Sequence, residues 1–179
     1  MASRTQHEED GTTTEYHDVT VAGDRIERLL TELLTDHWGD VTVGPILEGA
    51  AFEIRFTTPP TLSMLDGYLT VDTGPWHFHL CVGEHRGAPA PLAKIRPVAR
   101  AAFFRSTGST CVPGSWGLRL WNGRDEQMIT IFFPNPHYDE RTEQRQAPDW
   151  TKTALWESFR DRYAAPERSA DASEVVSAS

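Results

Sequence analysis

The chain is organised around residues 76–85, which run Trp76-His77-Phe78-His79-Leu80-Cys81-Val82-Gly83-Glu84-His85. Aromatic and branched residues alternate with polar ones from the Gly74-Pro75 turn to Gly83, and this pattern predicts a β-strand. The side chains of a strand point alternately to its two faces. We therefore expect one face to point to the core, with Phe78, Leu80 and Val82. The opposite face has an unusual composition for a strand, with His77, His79 and Cys81.

The two histidines have a spacing that suits a shared metal ion. At a rise of roughly 3.3 Å per residue, positions 77 and 79 lie about 6.6 Å apart along the strand, and imidazole nitrogens bind metals at about 2.0–2.1 Å. Position 81 lies about 13 Å from position 77, too far to share an ion with it comfortably. A His-x-His strand also occurs where carbonyls or carboxylates satisfy the ring nitrogens. The spacing alone leaves both interpretations open.

Length and charge exclude several classes of protein. The 179 residues fit one domain, which we expect over residues 16–165, with disordered segments over 1–15 and 166–179. The net charge of −9 argues against nucleic acid and anionic membranes as partners. The lack of a secretory-type N-terminus and of an apolar run of about 18 residues predicts a soluble cytoplasmic protein. The excess of arginine over lysine suggests a GC-rich bacterial source, and Cys81 and Cys111 are expected to be reduced thiols.

Hydrophobic periodicity predicts three helices and six strands in the order α-ββββ-α-ββ-α. The helices are expected from Asp24 for about 14 residues, from Pro97 to Arg105, and from Pro148 to Tyr163. The strands are expected at 41–43, 50–57, 68–72, 76–82, 115–121 and 126–133, with hairpins at Gly74-Pro75 and Asn122-Gly123. The prediction is an α+β fold with helices packed on a predominantly antiparallel sheet, and a half-closed barrel remains an alternative.

A third metal ligand is predicted beyond the last strand. A catalytic metal site uses three protein ligands and an open position, and His137 follows a strand on a loop that Pro134 and Pro136 stiffen. Either Asp139 or Glu84 would act as a fourth ligand or general base, with Cys81 as a neighbouring group or soft ligand. Iron, copper and zinc all accept imidazole, so the identity of the metal stays open.

Two short resemblances involve the same strand. The run His77-x-His79 with Glu84 five residues later resembles the first motif of cupins, which implies a metal bound by all three side chains inside a small β-barrel. The second cupin motif is not found around Pro113-Gly114. Phe78 between two histidines also resembles the zinc strand of α-type carbonic anhydrases. Each resemblance covers about ten residues or fewer, and neither identifies a family.

The sequence leaves three functional hypotheses. The first is a metal-dependent enzyme that acts on a small organic molecule by hydrolysis, hydration or oxygen-dependent chemistry, as a monomer or a homo-oligomer. The second makes Cys81 a nucleophile with His79, His85 or His137 as its base. The third is a metal-free binding or accessory module whose pocket is lined by aromatic residues, namely Trp76, Trp116, Trp121 and Phe133. An anionic substrate could also be held by arginines that accompany the second predicted helix, namely Arg96, Arg100 and Arg105.

Overall fold

The computed structural model describes residues 3–9, 11–47, 49–108, 113–139 and 144–164. Three α-helices lie in these ranges: α1 is Arg25–Asp36, α2 is Ala90–Ile95 and α3 is Ala154–Tyr163. Short 3-10 helices span Trp38–Asp40 and Trp150–Thr153. None of these helices is both long and apolar enough to span a bilayer.

Fourteen strands are found in the same ranges. In chain order they are β1 Ser3–His7, β2 Thr13–Val19, β3 Thr42–Gly44, β4 Ile46–Leu47, β5 Ala50–Ala51, β6 Ile54–Arg55, β7 Thr61–Leu65, β8 Tyr68–Asp72, β9 His77–Cys81, β10 Arg100–Thr107, β11 Gly114–Trp121, β12 Gln127–Phe132, β13 Tyr138–Asp139 and β14 Gln144–Arg145.

Seven of the strands form the main sheet, in the spatial order β1-β2-β10-β11-β12-β3-β6. All neighbouring pairs in it are antiparallel. Strands β7, β8 and β9 form a second antiparallel sheet, and β4-β5 and β13-β14 form two-stranded ribbons. The structure thus confirms the predicted α+β class with a large antiparallel sheet, and β11 is its middle strand.

The two faces of the main sheet are covered differently. One face shares a core with α1 and α3, in which the apolar residues of α1 recur at helical spacing and are almost fully buried. The other face carries a smaller cluster that strands alone provide, namely Tyr16, Ala102, Phe104, Trp121 and Phe132. Because strand residues alternate, β2, β10, β11 and β12 supply side chains to both faces.

Both predicted hairpins are present. The strands β8 and β9 pair in the register Tyr68↔Cys81 to Asp72↔His77. The strands β11 and β12 pair across the Asn122 turn, where the Asn122 side chain accepts hydrogen bonds from the N–H groups of Arg124 and Glu126. The predicted helices α1 and α3 are also confirmed, since their 3.6-residue periodicity is a local property of the chain.

The predicted helix from Pro97 to Arg105 is wrong. Residues 100–107 form β10, which pairs with both β2 and β11, and the neighbouring helix α2 lies earlier. The run Ala101-Ala102-Phe103-Phe104 is at most 1% exposed. A strand that is buried on both faces has a continuous apolar run, and such a run cannot be told from a short buried helix by periodicity.

The N-terminal segment is also ordered in part, contrary to the prediction of disorder over 1–15. Strands β1 and β2 pair with each other, and β2 pairs with β10. The polar composition of this segment suits an edge of the sheet, because β1 is an exposed edge strand. The predicted disorder over 166–179 lies outside the described residues.

The predicted strand over 50–57 is broken into β5 and β6. Between them Phe52 is 60% exposed and its N–H is donated to the carbonyl of Pro45. The prediction also missed β7, which pairs with β8 through a two-residue turn at Asp66-Gly67. Both turn residues have positive φ, 47° and 81°, as a type I′ hairpin turn requires. An Asp-Gly dipeptide is the sequence signal of that turn, so β7 could have been predicted.

Candidate functional site

His77 and His79 lie on β9 with exposed side chains, on the face opposite Phe78. Their ring centroids are 5.1 Å apart at an interplanar angle of 67°. The Nδ1 atom of His79 is hydrogen-bonded to the hydroxyl of Thr70, at 2.8 Å. Phe78 stacks on Trp76 with a centroid distance of 6.2 Å. The alternation predicted for this strand is therefore present over residues 77–79, whereas Cys81 is buried like Leu80. His79 already has a protein partner.

His137 belongs to a different part of the molecule. It follows β12 of the main sheet, and its ring packs against Trp116, at 6.2 Å between centroids, and Trp150, at 5.5 Å. In the part of the chain that the structure describes, no three His, Cys, Asp or Glu side chains are grouped so that they could hold a metal. The predicted metal-dependent enzyme is therefore wrong, because spacing along one strand did not bring a third ligand to it.

The residues predicted to assist the metal have other surroundings. Glu84 is exposed and accepts a hydrogen bond from the Nε of Arg86, at 3.2 Å. Asp139 pairs with Gln144 in the β13-β14 ribbon. Cys81 is 2% exposed, and its thiol is donated to the carbonyl of Gly83. Burial raises the pKa of this thiol, which lowers the thiolate fraction that a nucleophile needs. Catalytic roles for these three residues stay untested predictions.

A cavity of about 520 Å³ lies on the face of the main sheet away from the helices. Strands β1, β2, β10 and β11 supply most of its walls, each through residues an even number of positions apart along the strand. Such residues point to the same face of a sheet. The lining consists of Arg4, Gln6, Glu8, Thr12, Thr14, Tyr16, Arg100, Ser106, Arg119, Trp121 and Asp125.

The floor of this cavity is a layer of guanidinium groups on aromatic rings. The guanidinium carbon of Arg4 lies 4.2 Å from the centre of the Tyr16 ring, that of Arg119 lies 4.7 Å from Phe104, and that of Arg100 lies 3.5 Å from Trp121. The three rings are at most 7% exposed. Arginine favours such stacking because its guanidinium group is planar and weakly hydrated. The arginines therefore cover the rings and present positive charge to the cavity.

The three arginines differ in how far protein carboxylates neutralise them. Arg100 donates to Asp125 through its Nε at 2.9 Å, and the Nε of Arg4 lies 3.9 Å from Asp18. Arg119 bonds only to neutral oxygens, donating to the Tyr16 hydroxyl at 3.1 Å and to the Thr130 hydroxyl at 3.3 Å. Among the described residues no carboxylate pairs with Arg119. It is the guanidinium best placed to take an external anion.

The charge of the cavity is opposite to that of the whole chain. Three arginines and two carboxylates, those of Glu8 and Asp125, line it and leave one net positive charge, whereas the chain carries −9. Thr14 and Ser106 add two hydroxyl groups that are 2.7 Å apart. The described lining contains no histidine or cysteine. Guanidinium and hydroxyl donors of this kind suit the binding of an anion better than acid–base or nucleophilic catalysis.

Sequence reasoning found only part of this site. Arg100 and Trp121 were candidates for binding an anionic substrate and for an aromatic pocket, but Arg96 bonds to His85 and Arg105 pairs with Glu15 instead. The other predicted pocket aromatics, Trp76, Trp116 and Phe133, pack in or against the helix-side core. Arg4 and Tyr16 were missed because strands β1 and β2 were not predicted. The alternation of Arg119 with Trp121 on β11 was the signal that remained available.

The fold is shared with several solved structures. The chain has a TM-score of 0.53 and 19% identity with a protein from Erwinia carotovora, over 83% of this chain and 74% of that one. With a protein from Agrobacterium tumefaciens the TM-score is 0.54 and the sequence identity 16%, over 83% of this chain and 71% of that one. With a structure described as the heme-binding protein ChuX the TM-score is 0.52 and the sequence identity 12%, over 82% of this chain and 76% of that one. At these identities the likeness establishes the fold class alone.

The family is established by the sequence itself. Residues 3–165 match DUF7676, a family of unknown function, and the chain belongs to that family. The search of curated proteins found no match to this chain. The matched residues include β1 and β2 and the strands that line the cavity, so the family spans the whole candidate site.

Proposed function

We propose that this protein is a binding module for a small organic anion, held in the cavity on the helix-free face of the main sheet. The observation that carries the proposal is Arg119, whose guanidinium lies over a buried ring and bonds only to hydroxyl oxygens. An incoming carboxylate or phosphate would add charge-assisted hydrogen bonds there. The volume of about 520 Å³ is within the usual range for a small-molecule site, about 300–1,000 Å³.

Heme is the first ligand to test, because ChuX, one of the similar structures, is described as heme-binding. Its two propionate groups are carboxylates and match the arginine-rich lining of the cavity. The lining suits the iron of heme less well, because the usual axial ligands of that iron are His, Cys, Met and Tyr. Of these only Tyr16 is found in the described lining. That residue is 3% exposed, and its oxygen accepts a hydrogen bond from Arg119.

The variant Arg119→Gln tests the proposal. Hydrogen bonds to charged groups contribute about 1.5–3 kcal/mol, so the dissociation constant for heme should rise about 10- to 150-fold. Binding is measured by quenching of tryptophan fluorescence, since Trp121 lines the cavity. The matched control is Arg86→Gln, which removes the same charge from an exposed residue outside the lining and should bind heme as the wild type does. Equal affinities in all three proteins would contradict the proposal.

A further inference from the structure

The donors of the cavity and most of the described side chains that could ligate heme iron are in different places. All seven histidines lie in described residues, and none of them lines the cavity. His7 bonds to Thr13 on the far side of β1 from the cavity residues, and His17 and His37 contact Trp156 and Phe159. The remaining four belong to β9 and its following loop or to the loop after β12, namely His77, His79, His85 and His137.

The sulfur side chains of the described residues show the same separation. Cys81 is on β9, Met64 is on β7 and Met128 is on β12, packed against the helix-side core. Among the usual axial ligands of heme iron, Tyr16 is the one found in the described lining, but the guanidinium of Arg4 covers its ring and Arg119 donates to its oxygen. A bound metal would therefore have to displace an arrangement that the arginines stabilise.

We infer that the cavity recognises its ligand through acid groups alone, so that a metal-free porphyrin carboxylic acid binds there as tightly as heme does. The inference rests on the proposed function, since it names the chemical class that the same cavity accepts. Arg119, Arg100 and Arg4 bind the carboxylates, and the porphyrin ring lies over the guanidinium layer. None of the described side chains ligates the iron of heme, and the iron contributes nothing to the affinity.

The test is a titration of the wild-type protein with three probes: heme, metal-free protoporphyrin and protoporphyrin dimethyl ester, which lacks free carboxylates. Dissociation constants for heme and metal-free protoporphyrin should agree within about threefold, and the ester should bind at least about tenfold more weakly. Tyr16→Phe, which keeps the ring and removes the oxygen, should change the affinity for both acids equally. It should leave the absorption maximum of bound heme unchanged.

Two results would overturn the inference, and they are distinguishable. If heme binds more than about tenfold more tightly than metal-free protoporphyrin and Tyr16→Phe abolishes that difference, Tyr16 ligates the iron; the inference then fails while the proposed function stands. If neither acid binds, or both bind Arg119→Gln as well as the wild type, the proposed function fails and the inference fails with it.

Discussion

At the scale of single residues, Gly117 shows how tightly the aromatic floor is built. A Cβ at this position would collide with the Phe104 ring and come within 2.9 Å of the carbonyl oxygen of Ile131. The close approach of Phe104 to the backbone of β11 places the ring beneath the guanidinium of Arg119, whose central carbon is 4.7 Å from the ring centre. A side chain here would disturb both the packing and the floor of the cavity.

Gly117→Ala is therefore expected to lower the free energy of unfolding by about 1–3 kcal/mol, the usual cost of overpacking. The measurement is urea denaturation at neutral pH. The control is Gly39→Ala, since a Cβ there has open space around it. Equal stabilities of the two variants would show that Phe104 can move aside without cost.

His17 is a buried titratable residue on the core-facing side of β2. Its Nδ1 has no hydrogen-bond partner among the described residues, and its ring edge packs on Trp156. Burial lowers the pKa of His17 below 6.5; Glu15 opposes the shift, and Arg160 and Arg105 reinforce it. The folded state therefore favours neutral His17, so the stability it contributes is complete above pH 6.5 and is lost as the pH falls below that value.

The expected result is a pH-dependent difference between the wild type and His17→Phe, which keeps an aromatic ring and cannot titrate. As the pH falls from 7.5 to 5.5, the wild type should lose more stability than the variant. Urea denaturation at several pH values measures both proteins under the same conditions, so the titration of other groups cancels in the difference. Parallel pH profiles would contradict a role for His17.

Among the elements, α3 forms a side-chain hydrogen bond to the middle strand of the main sheet, β11. Trp156 is 2% exposed, and its indole N–H is donated to the carbonyl of Gly117 at 3.0 Å. The helix and the cavity floor thus meet at the same residue of β11, from opposite faces of the sheet. Loss of this bond would remove a buried hydrogen bond between the helix and the sheet.

Trp156→Phe should lower the free energy of unfolding by about 1–3 kcal/mol, because it removes a buried hydrogen bond and the smaller ring leaves space in the core. The control is Trp150→Phe, because Trp150 is 59% exposed and exposed substitutions usually change stability by less than about 0.5 kcal/mol. Thermal and urea denaturation give the comparison. A Trp156→Phe variant as stable as the control would mean that the indole hydrogen bond adds nothing.

The elements also show where sequence periodicity works. α1 and α3 were predicted because their apolar residues recur every three to four positions, and β8-β9 and β11-β12 because turn residues separate alternating runs. The strand β10 was mistaken for a helix because both of its faces are buried. The two-residue strands β5 and β6 are too short to show a period.

At the scale of the whole molecule, a small positive cavity lies in an acidic protein. The screening length falls from about 10 Å at 0.1 M salt to about 3 Å at 1 M. Binding of an anion to Arg119 should therefore weaken by roughly threefold or more between these concentrations. The measurement is the dissociation constant for metal-free protoporphyrin in sodium chloride. Arg119→Gln should show a shallower dependence, and an identical dependence would mean that the ligand binds elsewhere.

The α+β class, two helices and two hairpins could be predicted from short-range sequence patterns, because helical and strand periodicities and turn residues act over a few neighbouring positions. The sequence also identified Arg100 and Trp121 as candidate ligand contacts. The three-dimensional arrangement was needed to show that His77, His79 and His137 form no metal-binding group and that Arg4 and Arg119 both contact Tyr16. The reason is that strand order in a sheet is a long-range property: β2 pairs with β10 across more than 80 positions of the chain, and no local pattern specifies that partner.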